Sequence, residues 1–109
     1  MATTRKVLGQ VAPAATTNTD IYTVPAATST VCSTLVVANR GADAATFRVA
    51  VRPGGATFAN QHYLYYGVQL QTGDSFAATI GLTLAATDVV TAYASTADLS
   101  FSLFGEETT

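Results

Sequence analysis

An all-β antiparallel β-sandwich of about eight short strands, jelly-roll-like or immunoglobulin-like, is the fold this sequence predicts, and three observations carry it. Apolar positions run continuously or alternate by two, and no stretch shows helical spacing. The runs are rich in Val, Thr, Phe, Tyr and Leu, which suit a pleated, half-buried surface. Five of the seven acids, Asp20, Asp43, Asp74, Asp88 and Asp98, stand at the edges of those runs. Connectors fall at 39–43, 53–55, 72–74, 86–88 and 96–98, four of them ending in an Asp, whose side chain bonds to nearby backbone N–H groups.

Taken in order, the pattern places strands at about residues 5–11, 20–24, 30–39, 44–52, 62–66, 75–80, 88–94 and 98–104. The first follows a short arm, residues 1–5, expected to be flexible, and precedes an Ala/Thr-rich loop at 12–19. The second ends at Pro25, where a missing backbone donor does no harm to a ladder. The third is apolar on both faces and reads as a central strand. In the fourth, Phe47, Val49 and Val51 take one face and Thr46, Arg48, Ala50 and Arg52 the other, which makes it a half-buried strand with one wet or partner-facing side. It stops at Pro53, Gly54 and Gly55. In the fifth, alternation sets His62, Leu64 and Tyr66 against Tyr63 and Tyr65. The sixth ends before Gly81, and the seventh spans the apolar run before Ser95. The eighth alternates Leu99, Phe101 and Leu103 against Ser100 and Ser102, after which residues 105–109 are expected to trail as a tail. The expected core includes Val37, Phe47, Val49, Val51, Ile80, Leu99, Phe101 and Leu103.

At 109 residues the chain is expected to be a single domain, 1–109, that buries roughly 60 to 70% of its unfolded surface. Hydrophobic residues make up 49% and charged residues only 11%, against about 25% in ordinary soluble domains. With a net charge of −2, little repulsion keeps copies apart, and the surface suits packing against neighbours. The start lacks a signal-type apolar region, and no apolar stretch approaches the ~18 residues needed to span a bilayer, so no membrane association is expected. The lone Cys32, inside a strand-like run, is expected to be a small buried hydrophobe. A chain that starts at Met1 and ends soon after its last strand is expected to be a stand-alone subunit.

The inventory for chemistry is thin. His62 is the only histidine and its neighbours form no nucleophile-and-base signature, so no enzyme is expected. One His and one Cys fall short of the four ligands a structural zinc takes, and the Asp residues lack calcium-loop spacing, so neither metal nor cofactor is expected. No phosphate-cradling glycine pattern occurs, and five bases against seven acids argue against nucleic acid. Arg48 and Arg52 share a strand face near Arg40 in sequence. Two readings stand for them, a solvated edge and an intersubunit contact to a carboxylate. Tyr63, Tyr65 and Tyr66 either place rings in the core with hydroxyls at the rim, or form a patch for sugar or protein.

The segments TyrThrValPro (22–25), ValValAlaAsnArgGly (36–41), ThrPheArgValAlaValArgProGlyGly (46–55), GlyLeuThrLeuAlaAlaThrAspValValThrAlaTyrAlaSer (81–95) and PheSerLeuPheGlyGlu (101–106) together resemble small β-sandwich virion proteins of tailed bacteriophages. The likeness runs from Lys6 to Glu106. It implies a non-enzymatic virion structural protein, made in the host cytoplasm and located in the virion. As a capsid decoration or cement protein it would bind the major capsid protein or other virion subunits. Local three-fold and six-fold sites on a shell favour a homo-oligomer, with a trimer expected. The alternative is a tail, neck or fibre-associated module that binds a receptor or carbohydrate through Tyr63, Tyr65 and Tyr66. Partner-contact candidates are Arg48, Arg52, Tyr63, Tyr65, Tyr66, and, in an arm that orders on docking, Arg5 and Lys6.

Overall fold

A computed structural model describes residues 2–109 and contains eight strands: β1 (Thr3–Val11), β2 (Thr19–Thr23), β3 (Ser29–Asn39), β4 (Ala45–Arg52), β5 (Tyr63–Leu70), β6 (Ser75–Leu84), β7 (Val89–Ala94) and β8 (Leu99–Thr108). Pairing is antiparallel throughout, β1 with β8, β2 with β7, β3 with β6 and β4 with β5. This is one long two-stranded ribbon whose tip lies between β4 and β5, where two short 3-10 turns sit. Rolling the ribbon brings β8 beside β3 and β7 beside β4, which yields two sheets ordered β1-β8-β3-β6 and β2-β7-β4-β5. The chain is therefore an antiparallel β-sandwich in jelly-roll order. The immunoglobulin order, which groups the first, second, fourth and fifth strands, does not form.

Alternation in β4 and β8 fills the space between the sheets. Phe47 points inward from β4, and its ring centroid lies 5.9 Å from Phe101 of β8, 5.3 Å from Phe76 of β6 and 6.3 Å from Tyr65 of β5. Val37, Val49, Leu99 and Leu103 complete the expected core, and Cys32 is fully buried with a free thiol. Val51 and Ile80, expected in the core, instead pack against its rim. Ile80 is there because β6 is an outermost strand and leaves one side of its inward residues uncovered.

The chain ends differ from expectation. Residues 2–5 of the expected arm (1–5) and the C-terminal tail (105–109) are not loose: from Thr3 opposite Thr108 to Val7 opposite Phe104, they form an unbroken ladder. Ala2 and Thr109 close it with reciprocal backbone hydrogen bonds of 3.1 and 2.9 Å. Arg5 lies 3.5 Å from Glu106, and Lys6 lies 3.1 Å from Glu107. These residues lack the apolar pattern that marks a strand. What holds them is backbone pairing with opposite charges directly or diagonally across, an arrangement hydropathy does not register. Met1 lies outside the described residues. β5 and β6 also run beyond their expected ends, because Gly67 and Gly81, at φ 74° and 59°, are absorbed as bulges instead of ending a strand.

A polar cluster joins the two sheets near the chain ends. Glu107 accepts hydrogen bonds from Lys6 Nζ at 3.1 Å and from the Tyr22 hydroxyl, which also lies 2.8 Å from Thr30 Oγ1. The Tyr22 hydrogen bond, and then that of Lys6, hold the Glu107 carboxyl below the usual carboxylate range. Burial first, and next the hydrogen bond to Glu107, push the Tyr22 hydroxyl up to about 12. Burial pushes the Cys32 thiol up to about 11.

Two outcomes follow. Phe101→Ala should lower stability by about 3 to 5 kcal/mol in denaturant unfolding, since it removes a fully buried ring between the sheets and leaves a cavity. An unchanged midpoint would remove Phe101 from the core. Tyr22 and Cys32 both hold their protons more tightly folded than unfolded. Their contributions are therefore fully present below the ordinary values of 10.0 and 9.0, and are lost as pH rises toward about 12 and about 11. Glu107 acts at the other end of the scale, its contribution being lost as pH falls through its depressed value. The urea midpoint should fall across this alkaline window, with Tyr22→Phe removing part of the fall. A midpoint that stays level there would refute the buried-proton account.

Candidate interaction surface

The outward face of the β2-β7-β4-β5 sheet collects most of the side chains that sequence reasoning singled out. On β4, Arg48 and Arg52 point away from the core, as the alternation of Phe47, Val49 and Val51 requires. Their neighbours on the face come from β7, where Arg48 pairs with Tyr93 and Ala50 with Thr91, and from β2, where Asp20 pairs with Thr91.

Arg52 is fully engaged within its own chain. Its guanidinium lies 2.9 Å from Asp20 Oδ1 and donates to Thr91 Oγ1 at 3.2 Å, to the Gly55 carbonyl at 3.2 Å and to the Ala56 carbonyl at 3.0 Å. The Phe58 ring covers it at 5.0 Å. Arg52 thus pins the connector that follows β4 to the sheet. Arg40 does not join the other two. It lies on the other sheet's side and donates to Ser100 Oγ at 2.6 Å and the Ala97 carbonyl at 3.0 Å.

Arg48 is different. Its guanidinium carbon lies 4.2 Å from the Tyr66 ring centroid and 4.3 Å from that of Tyr93, so two aromatic faces flank it. Among the described residues its N–H donors meet no acceptor. A guanidinium held between two rings with its donors unengaged can form two parallel hydrogen bonds to a carboxylate or phosphate.

Alternation in the tyrosine strand differs from expectation. Tyr63 and Tyr65 do not share a face, because the register shifts between Val49/Tyr65 and Ala50/Tyr63, leaving Leu64 as the extra residue of a bulge. A second shift at Gly67 resets the strand again. Tyr63 therefore joins Tyr66 on the outward face, with ring centroids 5.0 Å apart and planes at 85°. Tyr66 is 63% exposed, which leaves most of its ring open to a partner. Phe58 adds a third ring 6.0 Å from Tyr63. Tyr65 points inward, 5.2 Å from Phe76, and packs against the core. Sequence reasoning missed Tyr93 and Phe58. Tyr93 is legible as outward from its alternation with Ala92 and Ala94, but nothing local reveals that β7 lies beside β4.

Arg5 and Lys6 are not brought to this face. They lie on β1, the outermost strand of the other sheet, in an open depression shared with Val31, Ser33, Phe104 and Glu106. Both are paired with acids of β8. His62 is buried, and its Nδ1 accepts the Ala59 backbone N–H at 3.1 Å, which fastens the turn before β5. Among the described residues no three His, Cys, Asp or Glu side chains gather in a metal-holding group. No helix there is long and apolar enough to cross a membrane. No protein-family model matches this chain, and no curated protein sequence matches it.

Proposed function

We propose that this chain is a non-enzymatic structural subunit of a tailed-bacteriophage virion, a capsid decoration or cement protein that bridges neighbouring shell subunits. The observation that carries this reading is Arg48. Its ring-flanked guanidinium, with donors that no described residue engages, is fitted to grip an acidic group on another protein. Tyr63 and Tyr66 beside it supply large, rigid contact area of the kind that dominates protein interfaces. The resemblance of residues 6–106 to small virion β-sandwiches supports the setting. So does the jelly-roll order, an architecture shared by many viral capsid domains and by lectins, though fold by itself fixes no role.

The Tyr63–Tyr66 pair, with Tyr66 exposed and Tyr63 half-buried, favours one second reading, a tail- or fibre-associated module that stacks a sugar on those rings. Two measurements separate the readings. Particles that lack the chain should lose DNA at a lower temperature than complete ones if it cements the shell. Finding it only at the tail or neck, with shell stability unchanged by its removal, would reject cementing in favour of the tail-associated role. Arg48→Ala should weaken attachment to particles by about 2 kcal/mol or more, and Arg48→Lys should recover little of it, because an ammonium cannot form the paired hydrogen bonds. Full attachment by both variants would remove Arg48 from the interface.

A further inference from the structure

The four outermost strands of the sandwich are not alike. β1 carries Arg5 and Lys6 and breaks register at Leu8. β2 is five residues long, carries Asp20 and breaks register at Ile21. β5 has no charge but is interrupted twice, at Leu64 and Gly67. Charges, shortness and bulges are the devices by which natural proteins stop an exposed strand from pairing with another chain. β6 differs in its first half. Ser75–Thr79 pairs with Ala38–Thr34 of β3 without a shift, and the run Ser75–Ile80 has no charge, no proline and no bulge until Gly81. Across this flank β6 meets β5 through the Tyr65–Phe76 ring contact and not through close backbone approach, in contrast to the β1–β2 flank, where a Cβ at Gly9 would collide with the Ile21 carbonyl.

We infer that the chain forms a dimer through this edge, residues Phe76–Ile80 of one copy running antiparallel to the same residues of a second copy about a two-fold axis at Ala78. The backbone N–H and C=O groups on the outer side of β6 have no strand partner in the single chain, so the occupant is an extended strand. A second copy fits for two reasons. A two-fold contact sets the residues at its axis near their own counterparts, which charge there would oppose and this uncharged run permits. The side chains are also complementary to themselves in that register. Ala78 faces Ala78 at the axis, and the inward Phe76 of one copy meets the inward Ile80 of the other, an aromatic and β-branched pair. Both are only half-buried in the single chain and pack against the core rim, so the contact covers the side of the core that β6 leaves open. On the outward face Ala77 meets Thr79. The two four-stranded sheets become one of eight. This inference concerns the chain alone and goes beyond the role proposed for it on a particle.

The test uses the purified full chain. Sedimentation should report a concentration-dependent dimer, and hydrogen exchange should slow at β6 amides as concentration rises while β1 and β2 amides stay unchanged. Thr79→Lys and Ala77→Glu each place a charge at an exposed outward position, and each should weaken dimerisation by about tenfold or more with little change in melting temperature. Mixed in equal amounts they should dimerise again, since the register sets Lys at 79 opposite Glu at 77. A monomer at every working concentration would overturn the inference. So would a dimer that both charged variants leave intact, or one in which β6 gains no exchange protection in the wild-type chain, a readout that holds even if a variant fails to fold.

Discussion

Phe47 is the side chain on which the two sheets meet. It projects from the centre of β4 into a space that Phe76, Phe101 and Tyr65 fill from three other strands. Stacked sheets stand about 10 Å apart, a gap that small side chains such as Ala92 and Ala94 cannot bridge by themselves. The aromatic group sets that spacing locally. Each strand contributing a ring must present its inward face there, which fixes the register of β4, β5, β6 and β8 together. A slip of one residue anywhere in the four would turn a ring to solvent.

With the interior so constrained, the irregularities of the strands fall at bulges. Extra residues at Leu8, Ile21, Leu64 and Gly67 let a strand change faces midway without disturbing the rings behind it. The bulge at Leu64 has the largest effect on the surface. It keeps Tyr65 packed against the core while turning Tyr63 outward beside Tyr66, the ring that covers Arg48. An interaction face is thereby assembled on a strand whose inner side is already committed.

Much of this was legible in the residues. Alternation in 46–52 and 99–103 marked Phe47, Val49, Phe101 and Leu103 as interior and Arg48 and Arg52 as exterior, because a period of two survives wherever a strand is regular. It failed where the strand is not regular: Leu64 leaves no mark in HisTyrLeuTyrTyr that distinguishes it from a paired residue. The ends at 3–6 and 105–108 escaped because they are held by a backbone ladder and by Arg5–Glu106 and Lys6–Glu107 pairs. No local signal connects residues a hundred positions apart. The convergence of Arg48 with Tyr93 was hidden for the same reason, as it depends on which strands become neighbours when the ribbon rolls.

The placement of β8 between β1 and β3 also governs how the chain comes to be folded. Of the eight strands, the last to be synthesised is the one that joins the first to the third, so that sheet cannot close until all eight have emerged from the ribosome. Until then β1 has no partner and β3 lacks one of its two, and the Phe101 slot opposite Phe47 stands empty. Pairings this distant in sequence make folding slow, in the range of milliseconds to seconds for all-β domains. During that interval the nascent chain exposes uncharged strand-forming segments, which makes crowding by sister chains a hazard of its synthesis.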